Sequence, residues 1–382
     1  METELLGIYR LTRLPGTPAS GGTVCAPASI DVEFRRQLSG LLIGAKARAF
    51  PTGGRARPFP VCSTNRMDSR STFAKTAVVI PCYNEALTIA EVVSGFRQAL
   101  PDATVYVYDN NSTDETAARA AEAGAVVCAE SRQGKGNAVR RMFADVEAEV
   151  YVMVDGDGTY SAPAAPLLVD TLLDGQLDMV VAVREPDQEG RAYRPGHALG
   201  NRALTAILGV IFGRQFNDIL SGYRALSRRF VKSFPPLSTG FEIETEIAVH
   251  ALALRMPVGE VKTPYFERPE GAMSKLRTYR DGFRILLTMI RLFRTERPLR
   301  FFSILAACFA LVSIFLSLPI FVTYLETGLV PRFPTAILSA SLMIVAFVSQ
   351  ACGLILDTVS RGRREAKILR YISLAPPGRD EP

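Results

Sequence analysis

The stretch Val150-Tyr151-Val152-Met153-Val154-Asp155-Gly156-Asp157 decides the reading of this chain. Five apolar residues in succession have the length of a strand buried on both faces. The two carboxylates that follow occupy alternate positions, where they repel one another unless a cation or a proton lies between them. A ligand set made only of oxygen favours Mg²⁺ or Mn²⁺, ions that keep bound water and take up substrate phosphates. The competing reading, a solvated Asp-Gly turn, is disfavoured by the apolar run directly before it.

Working outward, the same alternation of short β-rich runs with helix-length amphipathic segments begins at Thr76. Strands are predicted over Thr76 to Ile80, Thr104 to Tyr108, Ala125 to Cys128 and Val150 to Val154. This rhythm defines an α/β class with a mostly parallel sheet covered on both faces. Several strands end in polar clusters: Pro81-Cys82-Tyr83-Asn84-Glu85, Asp109-Asn110-Asn111-Ser112 and Asp155-Gly156-Asp157. Ligands of open α/β sheets bind outside the carboxyl ends of the strands, so these clusters are expected to converge on one crevice. Asp109 is expected to face a base or ribose there. Ser112 reads as a cap for the following helix, with Asp114 and Glu115 in its first turn. Gly134-Lys135-Gly136 precedes another helix and can approach phosphates, but it lacks the longer P-loop pattern, which disfavours an ATPase.

Composition narrows the chemistry. Six cysteines without C-x-x-C spacing read as reduced structural thiols, and two histidines far apart in sequence argue against a zinc centre. The net charge of +6 gathers around two long apolar runs, which suits attraction to anionic lipid better than a nucleic-acid groove, so no nucleic-acid partner is expected.

Those runs, Phe301 to Tyr324 and Ala336 to Leu356, each reach the roughly 20 residues a helix needs to cross a bilayer. Arg291, Arg294, Arg297 and Arg300 precede the first, and Arg361, Arg363, Arg364 and Lys367 follow the second, whereas the loop between carries only Arg332. The positive-inside rule then places both ends, and the α/β domain, in the cytoplasm of a multi-pass inner-membrane protein. Lys275 to Arg297 interleaves apolar residues with arginines and reads as a helix lying in the membrane interface or packed on the domain. The expected organisation is an N-terminal extension over 1–72, an α/β domain over 73–270, the amphipathic helix over 271–300, spans over 301–324 and 336–356, and a basic tail over 357–382. Two readings stand for the N-terminal segment: a flexible tail, and a start of translation at Met67.

Taken in order, these motifs resemble the family 2 glycosyltransferases of the GT-A fold, in particular the polyprenyl-phosphate sugar transferases of the dolichol-phosphate mannosyltransferase type. The matching pieces also include Asp218, Ser221-Gly222-Tyr223-Arg224 and Ser274-Lys275-Leu276, and the likeness covers roughly Thr76 to Arg300. It implies a Rossmann-like domain followed by two transmembrane helices. It also implies a UDP- or GDP-linked sugar donor, a polyprenyl phosphate acceptor and inversion at the anomeric carbon. Pro81, Tyr83, Glu85, Asp109, Asn111, Lys135, Asp155 and Gly156 would hold the donor, with the metal on Asp155 and Asp157. Arg184, Arg194, Arg202, Ser274 and Lys275 are the candidates for the acceptor phosphate, Arg194 also for catalysis, because guanidinium matches phosphate oxygens. Glu242, Glu244 and Glu246 resemble an acidic segment of the family, and a solvated strand or helix start explains them equally well. The chain departs from many members in having Asn110 after Asp109 instead of a second carboxylate.

Rival readings are weaker. A processive polysaccharide synthase is expected to carry a Q-x-x-R-W motif, and this chain has no tryptophan. A catalytically inactive membrane scaffold would have no use for Glu85, Asp109, Asp155 and Asp157 together. The two spans suit either a monomer or a homo-oligomer.

Overall fold

The computed structural model describes residues 76–186, 197–213, 216–269 and 278–378. The expected N-terminal extension and the proposed start at Met67 lie outside these residues, as do Arg194, Ser274 and Lys275.

Seven strands form one sheet in the order β3-β2-β1-β4-β6-β5-β7. They are β1 (Thr76–Cys82), β2 (Thr104–Asp109), β3 (Val126–Ala129), β4 (Val150–Met153), β5 (Met179–Pro186), β6 (Arg224–Ser227) and β7 (Val258–Tyr265). All neighbours pair in parallel except β6, which runs antiparallel to both β4 and β5. Between them lie α1 (Ile89–Ala99), α2 (Thr116–Glu122), α3 (Lys135–Asp145), α4 (Ala165–Asp174), α5 (His197–Phe212), α6 (Arg228–Ser233) and α7 (Ile243–Leu254). After the sheet come α8 (Thr278–Glu296), α9 (Pro298–Thr327) and α10 (Phe333–Ile372).

The period of two along each strand sorts its residues into two apolar layers. Ala77, Val79, Tyr151 and Met153 face α3 and α7, whereas Val78, Ile80, Val150 and Val152 face α1 and α4. Each strand is therefore buried on both sides, which is why the runs read as continuously apolar. The first four predicted strands agree with the structure to within a residue or two at their ends.

The polar ends of the strands are tied to one another. Asn84 adopts a left-handed backbone (φ 50°), a conformation asparagine tolerates better than most residues, and its Oδ1 accepts a hydrogen bond from Thr113 N at 2.7 Å. Ser112 Oγ accepts from Asn84 N at 2.9 Å and does not cap the helix as expected. The first-turn acceptor is Asp114, which takes Thr116 N at 3.0 Å. Its carboxyl would be raised by burial, yet these hydrogen bonds hold it below its usual range.

α8 divides its apolar residues. Ile285 and Met289 enter the domain core, while Phe283, Leu287 and Ile290 are exposed, so one helix both packs on the domain and presents an apolar face. α9 and α10 are each long and apolar enough to cross a membrane. Reciprocal hydrogen bonds between Ser313 and Ser339, each from a hydroxyl to the other's carbonyl at 2.7 and 2.8 Å, fasten the pair together.

The segment read as a basic tail is an unbroken continuation of α10, whose 40 residues run about 60 Å to Ile372. It returns to the domain. Lys367 pairs with Glu296 at 2.9 Å, and Tyr371 donates its hydroxyl to Asp178 at 2.6 Å. Asp178 is fully buried and also accepts from Ser227 Oγ at 2.7 Å and from Arg229 at 2.5 and 3.0 Å. Arg229 in turn stacks on the Tyr371 ring at 4.7 Å. The sequence pattern hides this contact, since the basic residues that flank the apolar run look like a solvated tail.

Two stability predictions follow from these contacts. Tyr371→Phe removes one donor to a buried charge and should cost about 1.5–3 kcal/mol in denaturant unfolding, with the sheet otherwise intact. His250, at 3% exposure between Phe230 and Phe234, is held down to about 3 by burial, with Lys367 adding to the shift. An unfolded chain therefore takes up a proton below about pH 6.5 that the folded chain refuses until about pH 3. Stability carried by the neutral ring is present above that window and is lost as pH falls through it, by up to about 1.4 kcal/mol per pH unit. His250→Gln should flatten this slope in unfolding measured from pH 7 to pH 4.

Candidate active site

At the carboxyl ends of β1 and β4 a pocket of about 380 Å³ opens. Pro81, Tyr83 and Glu85 from the end of β1 line it, with Lys135 from the start of α3 and Asp155, Gly156 and Asp157 from the end of β4. Of the residues expected to hold a donor, Asp109 and Asn111 are not on the pocket wall. Asn111 donates its amide to the carbonyls of Glu130 and Ser131 at 3.1 and 3.0 Å, and so braces the loop after β3. Asp109 accepts from Ser112 N at 3.3 Å through one oxygen, while its buried Oδ1 has no hydrogen-bond partner among the described residues. Asn110, the departure from the family pattern, does line the pocket. Its side chain bridges backbone groups of Glu130, Arg132 and Gly134, a task that needs both a donor and an acceptor and that a carboxylate could not perform.

The two carboxylates each hold a cation. Asp155 pairs with Lys135 at 2.5 Å, and Asp157 pairs with Arg268. Asp157 is 4% exposed, and its other oxygen accepts from Thr159 Oγ1 at 2.7 Å and Thr159 N at 3.2 Å. Lys135 bridges to a further carboxylate, that of Glu244 on α7. Burial alone would pull the Lys135 ammonium down, but Asp155 and Glu244 outweigh it and raise the group above its ordinary value. Burial pushes the Glu244 carboxyl up and the charge of Asp155 adds to that, against the pull of Lys135.

Glycines make this arrangement possible. A Cβ on Gly222 would lie 2.9 Å from Asp155 Cγ and closer still to its Oδ2. A Cβ on Gly136 would meet the Ser238 carbonyl carbon at 2.7 Å, so the Gly134-Lys135-Gly136 turn can nest against the segment before α7 and aim Lys135 inward.

Of the acceptor candidates, Arg184 lines the pocket. Its guanidinium meets Asp218 through two bonds of 2.7 and 2.8 Å and lies 5.4 Å from the Tyr265 ring centre. Burial would raise the Asp218 carboxyl, yet Arg184 more than offsets it and the group sits below its usual range. Arg202 is a residue of α5 whose side chain is not among the described ones; Arg194, Ser274 and Lys275 are outside them entirely. The three glutamates separate. Glu244 reaches the pocket, Glu246 accepts the backbone N–H groups of Leu237 and Ser238, and Glu242 lines a different cavity.

Sequence reasoning missed Arg268, Tyr160 and Phe241. Tyr160 accepts a hydrogen bond from Gly222 N at 2.9 Å, and burial raises its phenol above its usual value. Arg268 follows β7 in an unremarkable Glu267-Arg268-Pro269 segment, and the pairing of β7 with β5, together with the hydrogen bond from Phe266 N to the Thr159 carbonyl at 2.9 Å, carries it to the pocket.

The mostly parallel sheet, with carboxylates at the end of its central strand β4, defines a GT-A type domain. The sequence pattern described as glycosyl transferase family 2 matches residues 77–233. Glycosyltransferase AglJ of Haloferax volcanii is 39% identical over 248 residues, 65% of this chain and 80% of that protein. Protein RfbJ of Shigella flexneri is 53% identical over 121 residues, 32% of this chain and 94% of that protein. Dolichol-phosphate mannosyltransferase of Pyrococcus furiosus is 26% identical over 193 residues, 46% of this chain and 52% of that protein. Among solved structures, glucosyl-3-phosphoglycerate synthase from Mycobacterium tuberculosis aligns with a TM-score of 0.48 at 23% identity, covering 57% of this chain and 80% of that one. The chain belongs to glycosyl transferase family 2.

Because a Cβ at position 222 would overlap the Asp155 carboxylate, Gly222→Ala should displace that side chain by a few tenths of an ångström or more. The expected result is a fall of about tenfold or greater in kcat/KM for the sugar donor, with thermal unfolding little changed. Steady-state kinetics beside a melting curve would check both.

Proposed function

We propose that this protein moves a hexose or N-acetylhexosamine, with inversion, from a UDP- or GDP-linked sugar to a polyprenyl phosphate of the dolichyl or undecaprenyl kind at the cytoplasmic membrane face. The observation that carries this reading is Ile285. It lines the same pocket as Asp155 and Asp157, yet belongs to α8, the helix that leads directly into the apolar α9. A wall of the pocket is thus continuous with the element that enters the bilayer. α8 also exposes Phe283 at 60% and Leu287 at 49% along its length, a face suited to a lipid chain.

Only 11% and 17% of the most apolar stretches of α9 and α10 are buried, which supports spans of a membrane over core helices of a water-soluble fold. Their flanking arginines favour a cytoplasmic orientation of the domain. The name of the Pyrococcus furiosus relative, a dolichol-phosphate mannosyltransferase, agrees with a lipid phosphate acceptor.

Asp155 and Asp157 suit a divalent cation such as Mg²⁺ or Mn²⁺. Both present hard oxygens to one pocket, and a bound ion would take over from Lys135 on one and Arg268 on the other, leaving those cations for the diphosphate. When bound, the ion supplies charge stabilisation for the departing nucleoside diphosphate. The side chains of the pocket do the rest. Pro81, Tyr83 and Glu85 hold the nucleotide end of the donor, and Lys135 and Arg268 add positive charge beside its diphosphate. Arg184, oriented by Asp218 and Tyr265, receives the acceptor phosphate. A phosphate oxygen is anionic at neutral pH, so it attacks the anomeric carbon opposite the leaving group without surrendering a proton to the protein.

The test is a donor screen with the full chain in lipid, supplying polyprenyl phosphate and Mg²⁺ or Mn²⁺, beside Asp157→Asn. One lipid-linked sugar should form, only with metal, and about a hundredfold more slowly in the variant. Transfer to soluble or polymeric acceptors but never to the lipid phosphate would overturn the acceptor. No consumption of any donor by the folded protein would point to a scaffold.

A further inference from the structure

A second cavity, of about 700 Å³, lies between α7, α8 and the outer part of α10. α7 separates it from the catalytic pocket, presenting Glu244 to the one and Glu246, Val249 and His250 to the other. Its α8 wall ends at Glu296, two residues before α9 opens at Pro298. Its α10 wall begins at Ser360, just beyond the apolar run that ends at Leu356. The cavity therefore lies where both apolar helices turn polar, at the level headgroups occupy if those helices span a bilayer.

The charges around it are equal in number but unevenly engaged. Arg291, Arg363 and Lys367 face the cavity, opposite Glu242, Glu246 and Glu296. Glu246 is engaged by the N–H groups of Leu237 and Ser238, and Glu296 by Lys367. Arg291 and Arg363 make no side-chain hydrogen bond or ion pair among the described residues. Just outside this lining, Arg297, between α8 and α9, and Arg364, whose Nη2 donates to the Glu296 carbonyl at 2.9 Å, each bury an Nε that has no hydrogen-bond partner among those residues. Burial, and then the neighbouring charges of Arg364, Arg300 and Arg255, push the Arg297 guanidinium below its ordinary value. Two guanidiniums on the cavity wall that no acid engages among the described residues, with further arginines crowded just behind it, call for an anion with several acceptor oxygens. Phe234, Leu237, Val249 and Leu292 give the same cavity an apolar side.

We propose that this cavity is a second, non-catalytic site that binds the phosphate headgroup of an anionic phospholipid, with Arg291 and Arg363 as its principal ligands. Basic pockets at the cytoplasmic ends of membrane helices recognise lipid phosphates in this manner, and the apolar wall accepts the glycerol and upper acyl chain. The site rests on the membrane reading of α9 and α10, but not on the identity of the sugar or the acceptor. Because α7 walls both cavities, a bound headgroup would also steady the helix that holds Glu244 against Lys135.

The experiment reconstitutes the full chain into vesicles of phosphatidylcholine with and without phosphatidylglycerol. Retained lipid is counted by native mass spectrometry, for the wild type, Arg291→Gln/Arg363→Gln, Glu242→Gln and, as a control, Arg332→Gln in the loop between α9 and α10. The wild type should retain phosphatidylglycerol in preference, the double variant about tenfold or more weakly, and the control as the wild type does. Glu242→Gln removes the acid that no hydrogen bond or ion pair engages among the described residues, and should strengthen retention severalfold, a gain that misfolding cannot imitate. Equal retention in wild type and double variant would overturn the site. If the double variant failed to fold, absence of a gain in Glu242→Gln would overturn it instead. Displacement of the lipid by millimolar inorganic phosphate would identify a soluble anion as the ligand and overturn the lipid assignment. A chain that entered vesicles of neither composition would overturn the membrane reading itself.

Discussion

Two carboxylates held two residues apart at the end of a buried strand cannot remain charged in isolation, and the rest of the pocket is arranged around that constraint. Lys135 and Arg268 answer it from elements far apart in sequence, one at the start of α3 and one after β7. Lys135 then needs a second acid to sit comfortably in a buried position, and Glu244 on α7 supplies it. Gly222 leaves the space Asp155 requires, and Tyr160 fixes the Gly222 backbone by accepting its N–H. Strand ends, turns and one helix are thereby tied into a single charge network around the pocket.

The antiparallel strand β6 is what brings these parts together. Inserted between β4 and β5, it sets Gly222 and Arg224 beside the end of β4. Arg224 is wholly buried and spends its guanidinium on the carbonyls of Ser221 and Ile219 at 3.0 and 2.6 Å, shaping the turn that carries Gly222. Its role is to build the wall, and its charge is not offered to a ligand.

Much of this was legible from local sequence, and the limits have physical causes. Runs buried on both faces announce strands, so β1 to β4 and the residues at their ends were readable without any partner. Lys135 was placed near phosphates by its flanking glycines, although nothing local indicated that it would bridge Asp155 and Glu244. Arg268 was invisible because a lone arginine after a strand has no periodic signature. Asp109 and Asn111 were assigned to the donor by their position at a strand end. The structure instead gives Asn111 a bracing task and places Asn110 on the pocket wall. The basic stretch after Leu356 misled for a different reason. A charge run on a long helix looks like solvated tail until the acid it meets, Asp178, is seen to lie 193 residues earlier in the chain.

That last contact fixes a phase relation. Each residue of an α-helix advances the side chains by about 100° and 1.5 Å, so the apolar segment of α10 and the Tyr371 contact are geared to one another along one rigid rod. A change of length between Leu356 and Tyr371 by one or two residues would swing Tyr371 away from Asp178, whereas seven residues, close to two full turns, would restore the angle at a new height. Related chains that keep this anchorage should therefore vary in that stretch by near-whole turns. The stretch acts as a gauge, setting in discrete steps how far the catalytic pocket stands from the apolar helices.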